Sequence, residues 1–95
     1  MPGAGLHHIL FYDYVDDIVE RRVPHREAHL AYARRWLDEG RLVMAGVLGD
    51  PPHGAAFVLR GDDPADAEAF AAGDPYVEAG LVTARRVEPW NVSIA

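Results

Sequence analysis

The sequence predicts a single α+β domain over residues 1–95, in which strands and helices follow one another as β-α-β-β-α-β. Three observations lead to this prediction. A chain of 95 residues with 49% apolar residues has the size and composition of one folded domain with one core. Short runs rich in aromatic and β-branched residues alternate with longer runs in which apolar residues recur at helical spacing. Glycines and prolines stand between these runs, where they end helices and form turns.

Each element is predicted from its own residues. The strand segments are short and rich in β-branched or aromatic residues, and the helical segments begin at proline or aspartate and stop at glycine. The predicted strands are Leu6–Tyr14, Arg41–Leu48, Ala55–Arg60 and Leu81–Asn91. The predicted helices are His25–Glu39 after Pro24, Ala65–Ala72 after Asp63-Pro64, and a further turn from Asp74-Pro75 to Gly80. Polar Val15–Val23 and turn-rich Gly49–Gly54 are expected to be loops, and Pro89 is expected at a sheet edge or strand end.

This order is that of the ferredoxin-like split βαβ motif, an antiparallel four-stranded sheet with both helices on one face. The other face of such a sheet is uncovered. Strand one is apolar on both faces, with Leu10 and Tyr12 on one and Ile9 and Phe11 on the other. Because an apolar sheet face gains from being covered, we expect a homodimer packed sheet to sheet, which makes a dimeric α+β barrel.

Charge and composition exclude several classes of partner and site. The formal net charge is −6 and all 9 basic residues are arginine, so nucleic acid and anionic membrane surfaces are poor partners. The chain has no cysteine, hence no disulfide, thiol nucleophile or thiolate metal site. The N-terminal residues have neither the basic start of a signal peptide nor the length of a transmembrane span. A cytoplasmic location is therefore expected.

One histidine of the first long helix is predicted to face the sheet. At about 100° per residue, His29 lies at the centre of the apolar face. Arg26 lies at its shoulder one turn earlier, and Asp38 lies on the opposite side. A histidine in this position is either a neutral core residue bonded to a backbone carbonyl or a catalytic group oriented by a carboxylate. His25 and His29 have metal-chelating spacing, but there is no obvious third ligand, so neither a metal nor a cofactor is expected.

Asp74 in Gly73-Asp74-Pro75-Tyr76 has two compatible interpretations. Aspartate followed by proline is typical of a helix start, with the carboxylate capping backbone N–H groups. A carboxylate held by N–H groups stays ionised and fixed. It is therefore also suited to orienting a histidine.

Several short motifs, in this order and spacing, resemble the YciI-like (YCII-related) family. They are the R-x-x-H-L run from Arg26 to Leu30, D-E-G-R-L from Asp38 to Leu42, Ala45-Gly46, and D-P-Y-x-x-A-G from Asp74 to Gly80. Members of that family are small ferredoxin-like proteins that form dimeric α+β barrels, similar in architecture to muconolactone isomerase. Two departures are Glu27, where many relatives have proline, and the short loop Gly49–Gly54, which would leave the pocket more open.

The resemblance implies that His29 and Asp74 match the family's signature histidine and aspartate, and that Arg26 matches the arginine three residues earlier. It leads to two hypotheses. In the first, His29 is a general acid or base oriented by Asp74, and Arg26 and Tyr12 contact a small organic substrate in an isomerase- or lyase-type proton transfer. In the second, the same pocket belongs to a non-catalytic small-molecule-binding or accessory module. A purely structural role for His29 is the third alternative.

Overall fold

A computed structural model describes residues 5–95 and has the predicted order of elements. The strands are β1 (Gly5–Tyr14), β2 (Leu42–Leu48), β3 (Gly54–Arg60) and β4 (Val82–Val92). The helices are α1 (Ile18–Arg21), α2 (Arg26–Asp38), α3 (Ala65–Gly73) and α4 (Pro75–Glu78), with a 3₁₀ turn over Val23–His25. Among residues 5–95 no helix has the length and apolar character needed to cross a bilayer.

The four strands form one antiparallel sheet in the order β2-β3-β1-β4. In the centre of the sheet, Leu10 of β1 lies opposite Phe57 of β3 on one side and Val87 of β4 on the other. β4 is an edge strand, which is where a proline such as Pro89 is tolerated. The predicted ferredoxin-like α+β fold is confirmed.

The core lies between the sheet and the helices that cover one of its faces. Alternate residues of β1 and β3 point toward the helices, because successive side chains of a strand point to opposite faces. The largest buried core side chains include Leu10, Tyr12, Trp36, Phe57 and Phe70. Aromatic contacts join the layers: the Phe70 ring of α3 lies 5.0 Å from the Phe57 ring and 5.2 Å from the Trp36 ring.

One predicted loop is instead helical. The segment Val15–Val23 contains the four-residue helix α1, whose Ile18 side chain is almost completely buried. The sequence pattern did not indicate it, because one turn of helix is too short to display a 3.6-residue period. The next turn holds Pro24, so the long helix α2 starts at Arg26, one residue later than predicted.

The sheet face away from the helices is apolar and lacks a covering layer within residues 5–95. Its residues include half-buried Ile9 and Phe11 of β1 and the exposed side chains of Met44 and Trp90. The guanidinium of Arg86 lies 4.2 Å from the centre of the Phe11 ring. We call this surface the open sheet face.

Candidate active site

Asp74 occupies the junction between α3 and α4. It is the last, extended residue after α3 and the N-cap of α4, and its Oδ1 accepts a 3.0 Å hydrogen bond from the Tyr76 backbone N–H. The capping role predicted from Asp74-Pro75 is therefore confirmed. The side chain is fully buried, which is unusual for a capping residue and requires further donors for its charge.

Two side chains supply those donors. Nδ1 of His29 lies 2.8 Å from Oδ1 of Asp74, and the Tyr12 hydroxyl donates a 2.8 Å hydrogen bond to Oδ2. Because a carboxylate only accepts hydrogen bonds, the proton in the first contact sits on Nδ1 of His29. The partner of His29 is thus a carboxylate from 45 residues away, and not a backbone carbonyl.

The His29 ring is fixed by aromatic packing as well as by Asp74. It stacks on Tyr76 with ring centres 3.8 Å apart and 6° between the planes, and it meets Phe57 edge to face. Nε2 of His29 makes no hydrogen bond within residues 5–95. In that part of the chain every fully buried side-chain N or O atom has a hydrogen-bond partner, so Nε2 is not fully buried. Nε2 is therefore the solvent-accessible nitrogen, free to accept or donate a proton.

His29 opens into a cleft of about 310 Å³ between α2 and strands β2 and β3. The volume lies at the lower end of the range for small-molecule sites, roughly 300–1,000 Å³. Most of the wall is apolar, and three side chains carry polar groups. The lining residues are Tyr14, Arg26, His29, Leu30, Ala33, Ala45, Gly46, Val47, Ala55 and Phe57.

Arg26 and Tyr12 have different positions. Arg26 lines the cleft, as predicted, and none of the carboxylates in residues 5–95 forms an ion pair with it. The structure corrects the position expected for Tyr12, which is only 1% exposed and does not line the cleft. Its hydroxyl is bonded to Asp74 behind His29, so Tyr12 supports the carboxylate instead of facing a ligand.

Tyr14, two residues further along β1, lines the cleft in its place. The sequence carried the signal, because Tyr12 and Tyr14 share a strand face by alternation. The backbone N–H of Tyr14 donates to the carbonyl of His53 at 2.9 Å, which ties the strand end to the loop between β2 and β3. Tyr76 and Phe57, which orient the His29 ring, were also not predicted, because those contacts depend on packing between distant segments.

The tyrosines around Asp74 are kept neutral. Burial raises the pKa of Tyr12 and of Tyr14 above the ordinary value, and the negative charge of Asp74 raises both further. For Tyr12 the hydrogen bond to Asp74 adds to the effect. Both side chains therefore remain phenols, which donate hydrogen bonds, through the whole physiological pH range.

The other histidines lie apart from this cluster. Nδ1 of His7 is 3.1 Å from the carbonyl oxygen of Gly5, and Nδ1 of His8 is 3.0 Å from that of Gly61. His53 is exposed in its loop. In the part of the chain that the structure describes, no three His, Cys, Asp or Glu side chains are grouped so that they could hold a metal ion.

Comparisons with known proteins identify relatives in sequence and neighbours in structure. Protein YciI of Escherichia coli is 34% identical, with 79% of this chain and 86% of that protein covered. An uncharacterized protein of Haemophilus influenzae is 30% identical, with 90% and 97% covered. A 5-chloro-2-hydroxyhydroquinone dehydrochlorinase from Burkholderia phenoliruptrix, solved with 2,5-dihydroxybenzoquinone, has a TM-score of 0.74 at 20% identity, over 90% of this chain and 93% of its own.

At 20% identity, the similarity to the dehydrochlorinase shows a shared fold and no more. The family assignment rests on sequence: the YCII-related domain matches residues 6–91, a range that includes both His29 and Asp74. With that match over most of its length, this chain belongs to the family of YCII-related domains.

Proposed function

We propose that the cleft is the active site of a small enzyme that moves a proton on a small organic substrate, with His29 as the general acid–base. One observation carries the proposal. A buried carboxylate, Asp74, bonds Nδ1 of His29 at 2.8 Å, and Nε2 remains accessible on a residue that lines the cleft. This is the arrangement in which one imidazole nitrogen is anchored and the other exchanges protons.

The charge on Asp74 makes the exchange possible. When Nε2 takes a proton, the imidazole becomes a cation, and the adjacent buried carboxylate stabilises it. Hydrogen bonds from Tyr12 and the Tyr76 N–H hold that carboxylate in place. Asp74 and Tyr12 are thus positioning residues, and of these three side chains only His29 lines the cleft and meets the substrate.

The chain offers little for covalent catalysis. It contains no cysteine, and its single serine, Ser93, is exposed near the C-terminus, away from the cleft. Acyl transfer through a serine or cysteine nucleophile is therefore disfavoured. Isomerisation and elimination need only proton transfer, so we propose an isomerase- or lyase-type reaction.

The walls of the cleft indicate the substrate class. Apolar side chains would pack against an apolar or aromatic body, and Arg26, which has no ion-pair partner among residues 5–95, would hold an anionic group. The dehydrochlorinase with the same fold acts on a chlorinated hydroxyhydroquinone, a small acidic aromatic molecule. Lactones, phenols and hydroxyquinones are the compounds to screen first.

We also propose that the functional unit is a homodimer in which two open sheet faces pack together. Support comes from the exposed apolar side chains of that face, such as Met44 and Trp90. Large exposed apolar patches usually mark an interface. Such a dimer leaves the cleft accessible, because the cleft lies on the helix side of the sheet.

The direct test of the reaction class is carbon-bound hydrogen exchange, which needs no knowledge of the product. The purified protein is incubated in D₂O with each compound of the library, and exchange is followed by proton NMR. His29→Gln should lower the exchange rate by about 10²–10⁴-fold, the usual contribution of a general acid–base. His25→Gln is the matched control, since His25 lies one turn earlier, just before α2, and does not line the cleft.

The hydrogen bond between His29 and Asp74 is tested by determining which ring nitrogen of His29 carries the proton. In a two-dimensional ¹H–¹⁵N spectrum of the imidazole, the wild-type protein should show a protonated Nδ1, and Asp74→Asn should change that pattern. Binding of a compound with exchange that does not depend on His29 would instead support the alternative, a binding or accessory module.

A further inference from the structure

The Tyr14 hydroxyl is the one polar group of the cleft that neither the family resemblance nor the proposed reaction accounts for. The ring is 7% exposed, and the hydroxyl makes no hydrogen bond within residues 5–95. No fully enclosed side-chain oxygen in that part of the chain lacks a partner, so this hydroxyl is in contact with solvent. A largely buried tyrosine with an unpaired, solvent-contacting hydroxyl can form a hydrogen bond with a molecule outside the protein.

Tyr14 and His29 open into the same cleft and rest on the same ring. Tyr76 stacks on His29 at 3.8 Å and meets the Tyr14 ring edge to face at 6.0 Å. The backbone at Tyr14 is also held in place. The N–H of Tyr14 donates to the carbonyl of His53, and the N–H of Val15 donates to the carbonyl of Leu81. The position of the phenol relative to the imidazole is therefore fixed by backbone and by aromatic packing.

We propose that Tyr14 is the hydrogen-bond donor that holds the substrate oxygen on which negative charge develops. The inference rests on the proposed function and deepens it: the substrate is a carbonyl compound, such as the keto form of a phenol, with an ionisable C–H on the carbon next to the carbonyl. Nε2 of His29 removes the proton from carbon, and the C–H electron pair shifts so that the carbonyl oxygen becomes an enolate oxygen. That oxygen accepts the Tyr14 hydrogen bond. Return of the proton to another carbon completes an isomerisation, and loss of a leaving group from the adjacent carbon completes an elimination.

The electrostatics of the site favour this division of roles. Asp74 carries the negative charge close to His29, so a second anion on the protein at this point would be repelled. Burial and that same charge keep Tyr14 in its neutral form. A neutral donor that packing holds in a fixed position stabilises a developing oxyanion without the cost of reorienting solvent.

A phenolate is a stable stand-in for the enolate, so 4-nitrophenolate is the probe. Its binding to the wild-type protein is followed by absorbance at a pH where the probe is fully ionised. Tyr14→Phe removes only the hydroxyl and should weaken binding about 10- to 100-fold, the worth of a hydrogen bond to a charged group. The neutral analogue 4-nitroanisole should bind equally well to both proteins.

Two controls separate this effect from a change in folding. Tyr14→Phe should unfold at the temperature of the wild-type protein, because no hydrogen bond of the fold is removed. Tyr32→Phe removes a hydroxyl that donates to the Phe70 carbonyl at 2.9 Å outside the cleft, and it should leave 4-nitrophenolate binding unchanged.

Equal affinity of the wild-type protein and Tyr14→Phe for 4-nitrophenolate, or no binding to the wild-type protein, would overturn the inference. Its failure is distinguishable from failure of the proposed function. Carbon–hydrogen exchange reports on His29, and phenolate affinity reports on Tyr14. Suppose that exchange depends on His29 but that Tyr14→Phe leaves phenolate affinity unchanged. The acid–base proposal would then hold, and only the role of Tyr14 at the oxyanion would be wrong.

Discussion

The buried carboxylate of Asp74 accepts hydrogen bonds from three donors, and these donors come from three separate parts of the sequence. The Tyr76 N–H belongs to its own turn, His29 lies on α2 and Tyr12 lies on β1. The residue that begins a short helix therefore also ties that helix to the sheet and to α2. For this reason its removal should affect stability as well as activity.

We expect Asp74→Asn to lower the free energy of unfolding by about 2–3 kcal/mol. Asparagine still caps a helix, so the loss would come from the hydrogen bonds to a charged group, worth about 1.5–3 kcal/mol. Urea unfolding measures it. Asp63→Asn is the control, because Asp63 bonds the Ala65 N–H at 2.9 Å in an exposed position. Equal losses in both variants would mean that the buried network contributes nothing beyond capping.

The neutral tyrosines predict how stability depends on alkaline pH. The pKa values of Tyr12 and Tyr14 are raised in the folded protein relative to an ordinary value of 10.0. Below about pH 10 both states keep the phenolic protons and the stability is fully present. Above it the unfolded chain releases protons that the fold retains, so stability falls as pH rises. Each tyrosine adds about 1.4 kcal/mol per pH unit to the slope.

Tyr14→Phe should therefore reduce the steepness of that fall by about one tyrosine's share. Urea unfolding of both proteins between pH 9 and roughly pH 11.5 measures the two slopes. A wild-type stability that stays constant across this range would contradict the neutral assignment of both phenols.

At the scale of elements, β1 is the strand on which the site depends. Its even-numbered residues face the helices, and they supply Tyr12 to Asp74 and Tyr14 to the cleft. Gly54, the first residue of β3, lies very close to β1. A Cβ on Gly54 would collide with the carbonyl oxygen of Tyr12, the strand residue whose hydroxyl bonds Asp74.

Gly54→Ala should consequently destabilise the protein by about 1–3 kcal/mol, as expected for overpacking against a rigid backbone. The variant should also shift the NMR signals of His29, because β1 must move. Gly46→Ala, on the neighbouring strand, is the matched control, since a Cβ there meets nothing within 4 Å. A Gly54→Ala protein as stable as Gly46→Ala would mean that the start of β3 shifts to make room without disturbing β1.

The difference between predicted and observed elements follows from what a local pattern can carry. Strand alternation and glycine stops gave every strand and the long helix to within a residue or two. The turn α1 carries too few residues for a period, and its burial depends on the rest of the fold. Helical spacing likewise predicted that His29 faces the sheet, and the Asp74-Pro75 pair predicted that Asp74 caps a helix. That Tyr12 lies behind Asp74 while Tyr14 faces the cleft depends on how deep each residue sits in the packed molecule.

At the scale of the whole molecule, the two faces of the sheet have different tasks. The helix face holds His29, Asp74 and the cleft, and the open sheet face presents apolar side chains such as Met44, which is 60% exposed. Homodimers with two-fold symmetry bury the same patch on both subunits. A single charge placed within that patch is therefore introduced twice, and it faces its own copy or apolar surface.

Met44→Glu should shift the protein from dimer to monomer in sedimentation equilibrium. The side chain is exposed on the single chain, so the fold itself should survive, and far-ultraviolet circular dichroism should be unchanged. Because binding between subunits adds to stability, the unfolding temperature of the wild-type protein should rise with protein concentration. That of Met44→Glu should not. Leu37→Glu places the same charge on α2, at a side chain 44% exposed on the helix side, and should leave the dimer intact. Dissociation by Leu37→Glu but not by Met44→Glu would move the interface to α2 and away from the open sheet face.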